Sequence, residues 1–220
     1  MLDWQNIDAV IFDMDGTLVD SMYYWHTLPA QWFEHRGLAV PPDLDERLGS
    51  SDLMQAAEFF SAEFAPQEPP QAIFAELQQK IDYHYAHDIP LLPGVREFLA
   101  KLRQMQKKLC IATMTDRPQV ETVLRTHDLT ACFDFLLTTP EVGRGKDCPD
   151  IFRQACQRFG AEPARVAVFE DSRTAGRTAL LLGMPLVMLE CPGFDYSELQ
   201  RLAAEGRGEL CFLRDYRSLL

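Results

Sequence analysis

The sequence contains no uninterrupted apolar run that approaches the roughly 18 to 20 residues a membrane-spanning helix needs. No stretch near its start has a basic flank followed by a long apolar segment, so no secretory signal peptide is expected. Its six cysteines are scattered and form no Cys-x-x-Cys pair. Several of them lie in apolar runs, which favours reduced, buried thiols over a disulfide framework. These absences predict a cytoplasmic protein with no membrane partner.

Basic residues are also scarce, since 21 Lys and Arg stand against 33 Asp and Glu and the net charge is −12. Nucleic acids and anionic membranes bind basic patches, so neither is expected as a partner. With 220 residues, 47% of them hydrophobic, the chain can form one large domain or one domain with a smaller insert. Nothing in the sequence specifies the oligomeric state, and a monomer or a weak dimer is expected.

Five short, unbroken apolar runs are typical of strands that are covered on both faces. They are AVIF at 9–12, LCIAT at 109–113, FLLT at 135–138, VAVFE at 166–170 and LVML at 186–189. Amphipathic segments with helical spacing, such as 94–107 and 150–160, lie between them. Strands that alternate with helices indicate βαβ units, and so predict an α/β fold with a doubly wound, Rossmann-like parallel sheet.

The alternation of strands and helices is interrupted after the first strand. No strand-like run occurs from residue 17 to 88, where three segments with helical patterns are bounded by prolines. The predicted organisation is therefore a core domain of residues 1–16 and 89–220 with an inserted α-helical cap domain of residues 17–88. The insert carries 12 acidic and only three basic side chains.

Residues with catalytic potential follow several of the predicted strands. They are Asp13, Asp15 and Gly16 after the first strand, Thr113 at the end of the second, Lys146 beyond the third, and Glu170 and Asp171 at the end of the fourth. In an open parallel sheet, ligands bind beyond the carboxyl ends of the strands. We therefore expect two acidic clusters, one hydroxyl and one lysine at the same edge of the sheet.

This ordered set resembles the haloacid dehalogenase (HAD) superfamily, in the β-phosphoglucomutase- and phosphatase-like branch whose helical cap follows the first strand. DMDGT at 13–17 matches the first motif, and Thr113 matches the hydroxyl of the second. Lys146 matches the lysine of the third motif, and FEDS at 169–172 matches the fourth. The four motifs occur in the family's order.

The resemblance implies a phosphatase that acts on a small phosphorylated metabolite through an aspartyl phosphate. Asp13 would attack phosphorus, and Asp15 would protonate the leaving alcohol and then activate water. Thr113 and Lys146 would bind the phosphoryl oxygens and offset charge in the transition state. Gly16 would allow a backbone turn close to the phosphate, because glycine tolerates conformations closed to other residues.

The implied cofactor is Mg²⁺, a hard cation that takes oxygen ligands. The resemblance implies Asp13, the backbone carbonyl of Asp15 and the carboxylate of Asp171 as its protein ligands. Two interpretations stay open for Glu170: it orients a metal-bound water, or it only lies nearby.

Two positions depart from the family pattern. Met114 stands in the phosphate-binding segment where many relatives carry Asn or Ser, so one phosphate contact is changed or lost. Asp147 follows Lys146 where the family often has Pro. Its carboxylate either modulates the charge of the lysine or points to water.

The acidic insert favours a neutral or cationic leaving group, such as a sugar or polyol, over one with a carboxylate. The alternative is an acidic surface unrelated to the substrate. The aromatic residues Tyr23, Tyr24, Trp25 and Trp32 either pack inside the insert or stack on a substrate ring.

Two other functions are alternatives to phosphate-ester hydrolysis. A phosphomutase would need a histidine at the position of Trp25, but His26 stands one place later. It would also need an arginine near Asp52, so the residues present favour hydrolysis. A non-catalytic protein that binds a ligand or partner is the alternative from another class, and the intact acidic and lysine motifs speak against it.

Overall fold

The computed structural model describes residues 2–49 and 51–220. The strands are β1 Ala9–Phe12, β2 Lys108–Thr113, β3 Phe135–Thr138, β4 Val166–Glu170, β5 Leu186–Leu189 and β6 Leu210–Leu213. The α-helices are α1 Met22–His35, α2 Leu44–Leu48, α3 Leu53–Glu63, α4 Pro70–His87, α5 Val95–Gln104, α6 Arg117–Thr126, α7 Thr139–Val142, α8 Asp150–Phe159, α9 Arg173–Leu181 and α10 Ser197–Ala204. Short 3₁₀ turns lie at Thr130–Cys132, Pro163–Arg165 and Tyr216–Leu219.

The six strands within the described residues form one parallel sheet in the order β3-β2-β1-β4-β5-β6. This confirms the predicted doubly wound α/β fold. The strand order reverses between β1 and β4, the place where such sheets bind ligands. Phe12 of β1 pairs with Ile111 of β2 and with Phe169 of β4, so the residues that follow these three strands emerge side by side.

The five predicted apolar runs correspond to β1–β5, but the sequence pattern does not predict β6. This strand has four residues and lies at the edge of the sheet, where Leu210, Cys211 and Phe212 are only half-buried. Its apolar run is short and follows a segment that contains Gly206 and Gly208. In contrast, every residue of β1 is buried, because this strand is covered on both faces.

The chain divides into two compact units, Met1–Asp20 with Pro90–Leu220, and Ser21–Ile89. The first unit extends past the predicted boundary at residue 16, because the next residues are hydrogen-bonded to other residues of this unit. Leu18 N donates to Met14 O at 2.8 Å, and Asp20 N donates to Pro90 O at 2.9 Å. The second unit contains the short helix α2 in addition to the three helices that the sequence predicts.

The second unit has its own apolar core, formed by α1, α3 and α4. Trp32 and Phe60 are fully buried, and their rings stack with centroids 4.6 Å apart. The guanidinium of Arg36 lies 4.2 Å from the centroid of the Trp32 ring. Trp32 is therefore a packing residue of this unit. No helix in the described part of the chain combines the length and apolarity that crossing a membrane requires.

Candidate active site

The first acidic residue of the site extends the pairing between β1 and β4. Asp13 N donates to Phe169 O at 3.0 Å, which places Asp13 beside Glu170 on the neighbouring strand. The side chain of Asp13 is nearly buried, with 7% of the residue exposed. The β1–β4 register therefore brings the first and fourth motifs together.

A tight turn follows Asp13 and fixes the position of Asp15. Leu18 N and Val19 N donate to Met14 O, at 2.8 and 3.1 Å, and Gly16 N donates to Val19 O at 3.0 Å. Gly16 has φ 69°, a left-handed conformation that glycine adopts without strain. The glycine of the first motif is thus required by the backbone of this turn.

Lys146 lies between two carboxylates of the site. Its Nζ donates to Asp13 Oδ1 and, at 2.6 Å, to Glu170 Oε1, and the lysine is 5% exposed. The other oxygen of Glu170 accepts a hydrogen bond from Ser172 N at 2.9 Å. Glu170 therefore holds the lysine and the start of α9.

The loop that carries Lys146 turns sharply at glycines. Gly143 ends α7 with φ 80°, and a Cβ at Gly145 would lie 2.7 Å from Asp147 Oδ1. Asp147 is exposed, and its carboxylate lies beside this turn at the surface. Its exposure favours the interpretation that the carboxylate points to water.

The pKa shifts follow from burial and from the excess of negative charge. Burial raises the pKa of Asp13 well above its usual range; Lys146 opposes the shift, and neighbouring carboxylates add to it. Burial, and then repulsion by Glu170, raises the pKa of Asp171 to about 7. Burial lowers the pKa of Lys146, but Asp13 and Glu170 outweigh it and the net shift is upward. The lysine thus stays charged, yet one ammonium does not neutralise the cluster.

The carboxylates form a set that fits a hard cation. Oxygen atoms of Asp13, Glu170 and Asp171 lie within 4.8 Å of one another. Burial, and then repulsion by Glu170, raises the pKa of Asp171; an all-oxygen donor set suits Mg²⁺, and a dication would offset both effects. Glu170 already uses both oxygens for Lys146 and Ser172 N, so Asp13 and Asp171 are the better ligands. The carboxylate of Asp15 lies outside this set, and one of its oxygens accepts from Thr115.

The carboxyl end of β2 contributes two hydroxyls and an exposed methionine. Thr113 is buried, and its Oγ1 accepts a hydrogen bond from Thr115 N at 3.1 Å. Thr115 Oγ1 donates to Asp15 Oδ2 at 2.6 Å. Met114, between them, is 67% exposed, so it lines the surface beside the site. The sequence reasoning missed Thr115, although its position two residues after Thr113, beyond the end of β2, is the signal that could have found it.

An aromatic layer packs beneath the acidic residues and includes the buried Tyr216 of the last 3₁₀ turn. Its ring stacks on Phe169 with centroids 5.8 Å apart, and Phe169 in turn packs on Phe12 at 4.8 Å. The Tyr216 hydroxyl donates to Thr17 O at 3.0 Å, within the first motif. Tyr216 lies outside the four motifs, so the sequence offers no signal for this support.

The structure thus brings together side chains of all four predicted motifs. Asp13, Lys146, Glu170 and Asp171 form one charged cluster, in which Asp171 is half-buried and the other three residues are buried. Thr113 and Asp15 are linked through Thr115.

Comparison with known proteins adds sequence relatives to this geometry. A sequence model of the haloacid dehalogenase-like hydrolases matches residues 7–180. A phosphorylated carbohydrates phosphatase of Thermotoga maritima is 30% identical over 189 residues, which cover 81% of this chain and 82% of that protein. Hexitol phosphatase B of Escherichia coli K12 is 27% identical over 76% of this chain and 77% of that protein.

A solved structure has the same fold. The crystal structure of CbbY from Rhodobacter sphaeroides in complex with phosphate superposes with a TM-score of 0.75. The match covers 97% of this chain and 96% of that chain at 22% identity, and at this identity it supports the fold alone.

Proposed function

The chain belongs to the haloacid dehalogenase-like hydrolases, and from that premise we propose that it hydrolyses the phosphate ester of a small sugar or polyol. The observation that carries the proposal is the buried contact of Lys146 with Asp13 and Glu170, beside Asp171. A lysine held between carboxylates presents positive charge where a phosphate would bind, and a carboxylate beside it can act as the nucleophile.

In the first step, an oxygen of Asp13 forms a bond to phosphorus while the bond between phosphorus and the ester oxygen breaks. Asp15 transfers a proton to that oxygen, so the leaving group departs as a neutral alcohol. Lys146 Nζ and the Thr113 hydroxyl offset the charge on the phosphoryl oxygens. The product of this step is an aspartyl phosphate on Asp13.

In the second step, water attacks the phosphorus of the aspartyl phosphate. Asp15, now ionised, accepts a proton from this water, and the bond between phosphorus and Asp13 breaks. Inorganic phosphate leaves, and both aspartates return to their starting protonation states. The same carboxyl group thus serves as acid and then as base.

We propose Mg²⁺ as the cofactor, held by Asp13, Asp171 and the backbone carbonyl of Asp15. When bound, it supplies positive charge that offsets the repulsion between the buried carboxylates and the incoming phosphate dianion. Glu170 holds Lys146 in this scheme and is not a ligand.

We propose the cytoplasm as the location of the protein. All six cysteines are free thiols, which fits this reducing compartment.

We propose the helical unit as the cap that recognises the leaving group. The charge of this unit favours a neutral leaving group. Both of its arginines are bound internally: Arg36 donates to Glu76 and Glu68, and Arg47 donates to Glu63 at 2.8 Å. Neither guanidinium is therefore available to pair with a carboxylate on a substrate. Sugar and polyol phosphates need no such partner.

The role of Asp52 argues against a phosphomutase. Its side chain accepts a hydrogen bond from Gln55 N at 2.8 Å, and Gln55 Oε1 accepts from Asp52 N at 3.0 Å. This capping box starts α3, so Asp52 has a structural task. An acid with this structural task does not supply the cation that a mutase needs for a second phosphate group.

A panel of phosphate esters tests the proposed substrate class. With Mg²⁺, we expect hexitol and hexose phosphates to be hydrolysed with at least about tenfold higher kcat/KM than phosphoglycolate, a difference of about 1.4 kcal/mol. The reason is that the carboxylate of phosphoglycolate would face an acidic unit. Release of inorganic phosphate is the measurement. Phosphoglycolate outperforming every sugar and polyol phosphate would refute the proposed class.

We expect Mg²⁺ to raise the thermal unfolding midpoint of the protein. A ligand at a hundred times its Kd adds about 2.7 kcal/mol, which corresponds to a shift of roughly 5 to 10 °C for a chain of this size. The shift should be larger at pH 8 than at pH 6, because the pKa of Asp171 is raised to about 7 and a protonated carboxyl must lose its proton to bind metal.

Differential scanning fluorimetry with EDTA or Mg²⁺ measures this shift. Asp171→Asn should lose most of it, whereas the matched surface variant Asp82→Asn, on α4, should keep it. An equal shift in both variants would place the stabilising ion elsewhere on the protein.

A further inference from the structure

Thr115 makes a hydrogen bond that the four motifs do not explain. Its hydroxyl lies 2.6 Å from Asp15 Oδ2, and the residue is 9% exposed. The two residues are 100 positions apart in the chain, so this contact exists only because β1 and β2 are neighbours in the sheet. In this bond the Thr115 hydroxyl is the donor and Asp15 Oδ2 is the acceptor.

We propose that Thr115 is a positioning residue that orients the carboxyl group of Asp15 for proton transfer to the leaving group. This inference rests on the proposed function. The hydrogen bond from Thr115 to Oδ2 fixes one edge of the carboxyl group. The hydroxyl thereby restricts the rotation of the carboxyl plane.

The backbone around Thr115 is rigid enough for this task. Thr115 N donates to Thr113 Oγ1 at 3.1 Å, which joins the two hydroxyl-bearing residues in one short turn. One residue later the backbone enters the first turn of α6, where Gln119 N and Val120 N donate to Asp116 O at 3.0 and 3.2 Å. A group fixed between a strand and a helix holds its partner more accurately than one on a mobile loop.

The same turn orients the hydroxyl of Thr113. Its oxygen already accepts from Thr115 N, so its proton is directed away from that amide and can donate to a phosphoryl oxygen. Thr115 therefore serves the site in two ways: its amide orients the phosphate-binding hydroxyl, and its side chain orients the acid.

Leaving-group dependence separates positioning of the acid from a purely structural role. An alkoxide is a poor leaving group and needs a proton as the phosphorus–oxygen bond breaks, whereas p-nitrophenolate departs without one. Since kcat/KM covers only the steps up to formation of the aspartyl phosphate, the later activation of water does not enter the comparison.

The test compares Thr115→Val, Thr115→Ala and Thr115→Ser on glycerol 2-phosphate and p-nitrophenyl phosphate. We expect Val and Ala to lower kcat/KM for glycerol 2-phosphate by about 10- to 100-fold, a large part of what a general acid contributes, and for p-nitrophenyl phosphate by less than about threefold. Ser, which keeps the hydroxyl, should stay within about threefold of wild type on both esters.

Ala and Ser both remove the methyl group, so they differ only in the hydroxyl and remain comparable even if Val disturbs packing. Thr122→Val is the matched control. The Thr122 hydroxyl lies on α6, where it donates to Pro118 O at 2.8 Å and accepts from Arg125 Nη2 at 3.1 Å. This control should leave both esters unaffected, and unfolding midpoints should report that each variant folds.

Three outcomes would overturn the inference. An equal loss on both esters in the Ala variant assigns Thr115 a structural role, and wild-type activity in that variant removes any role. A Ser variant that behaves like Ala excludes the hydroxyl as the cause. In all three cases the proposed function stands, whereas a wild-type protein inert towards both esters would refute that function and this inference with it.

Discussion

Replacing Asp13 with asparagine is expected to lower kcat by at least about 10³-fold while the protein remains folded. The amide keeps the shape of the side chain, but its neutral oxygen is a poor nucleophile and forms no stable phosphoryl adduct. Steady-state release of phosphate from p-nitrophenyl phosphate and from a hexitol phosphate measures the loss. The variant Asp82→Asn, on the surface of α4, controls for the general effect of an Asp-to-Asn change.

The stability of the Asp13→Asn variant distinguishes lost chemistry from lost structure. Burial raises the pKa of Asp13, so keeping this group ionised in the metal-free fold is costly. Asparagine carries no charge, and Lys146 retains Glu170 as a partner. We therefore expect an unfolding midpoint equal to or above that of the wild type in EDTA at pH 8.

An Asp13→Asn enzyme that kept more than about a tenth of the activity would contradict the aspartyl-phosphate mechanism. Water would then be the direct nucleophile, with Asp15 as its base. Trapping the wild-type enzyme by rapid acid quench with ³²P-labelled substrate separates the two mechanisms. Label should stay on the wild-type protein and not on the variant.

Most of the fold could be predicted from the sequence because its sheet is buried on both faces. Continuous apolar runs such as AVIF at 9–12 can be recognised without knowing their neighbours, and their alternation with helices predicts the parallel order. β6 escaped prediction for the opposite physical reason. It is a short, half-buried edge strand, and its pairing with β5 is stabilised by backbone hydrogen bonds that leave little trace in the pattern.

The candidate site, like the fold, could be predicted only in part. The types of residue at the strand ends, above all Asp13, Asp15 and Asp171, could be predicted because the topology gathers those ends at one edge. Individual partners could not, since they depend on side-chain directions. Lys146 reaches Asp13 across 133 positions, and Tyr216 reaches Thr17 across 199. Glu170 illustrates the difference: its position was recognised, but its contact with the lysine is visible only in three dimensions.

Replacing Lys146 with methionine should cost both activity and stability, and the loss of stability should grow with pH. Activity should fall at least about 100-fold, because the charge that offsets the phosphoryl oxygens is gone. Removing one partner of a buried ion pair typically costs about 3 to 5 kcal/mol. Here Asp13 and Glu170 would be left as buried carboxylates, and urea unfolding in EDTA measures the cost.

The direction of the pH dependence follows from proton linkage. Burial already raises the pKa of Asp13, and without the ammonium that opposes the shift this pKa rises further above that of the unfolded chain, so the folded variant binds more protons than the unfolded one. Groups with raised pKa values contribute stability below the unfolded value, about 4, and lose it as the pH rises through the folded value. The gap between wild type and variant should therefore be smaller at pH 5 than at pH 8.

Two further variants make this explanation specific. Lys108→Met is the matched control, because Lys108 donates to a carbonyl, Phe159 O, and not to a carboxylate. Its cost should not change between pH 5 and 8. Adding Glu170→Gln to Lys146→Met should restore part of the stability at pH 8 but none of the activity, since it removes an isolated negative charge without supplying a positive one. A pH-independent loss in Lys146→Met would mean that the lysine contributes packing, and that the carboxylates are neutralised in some other way.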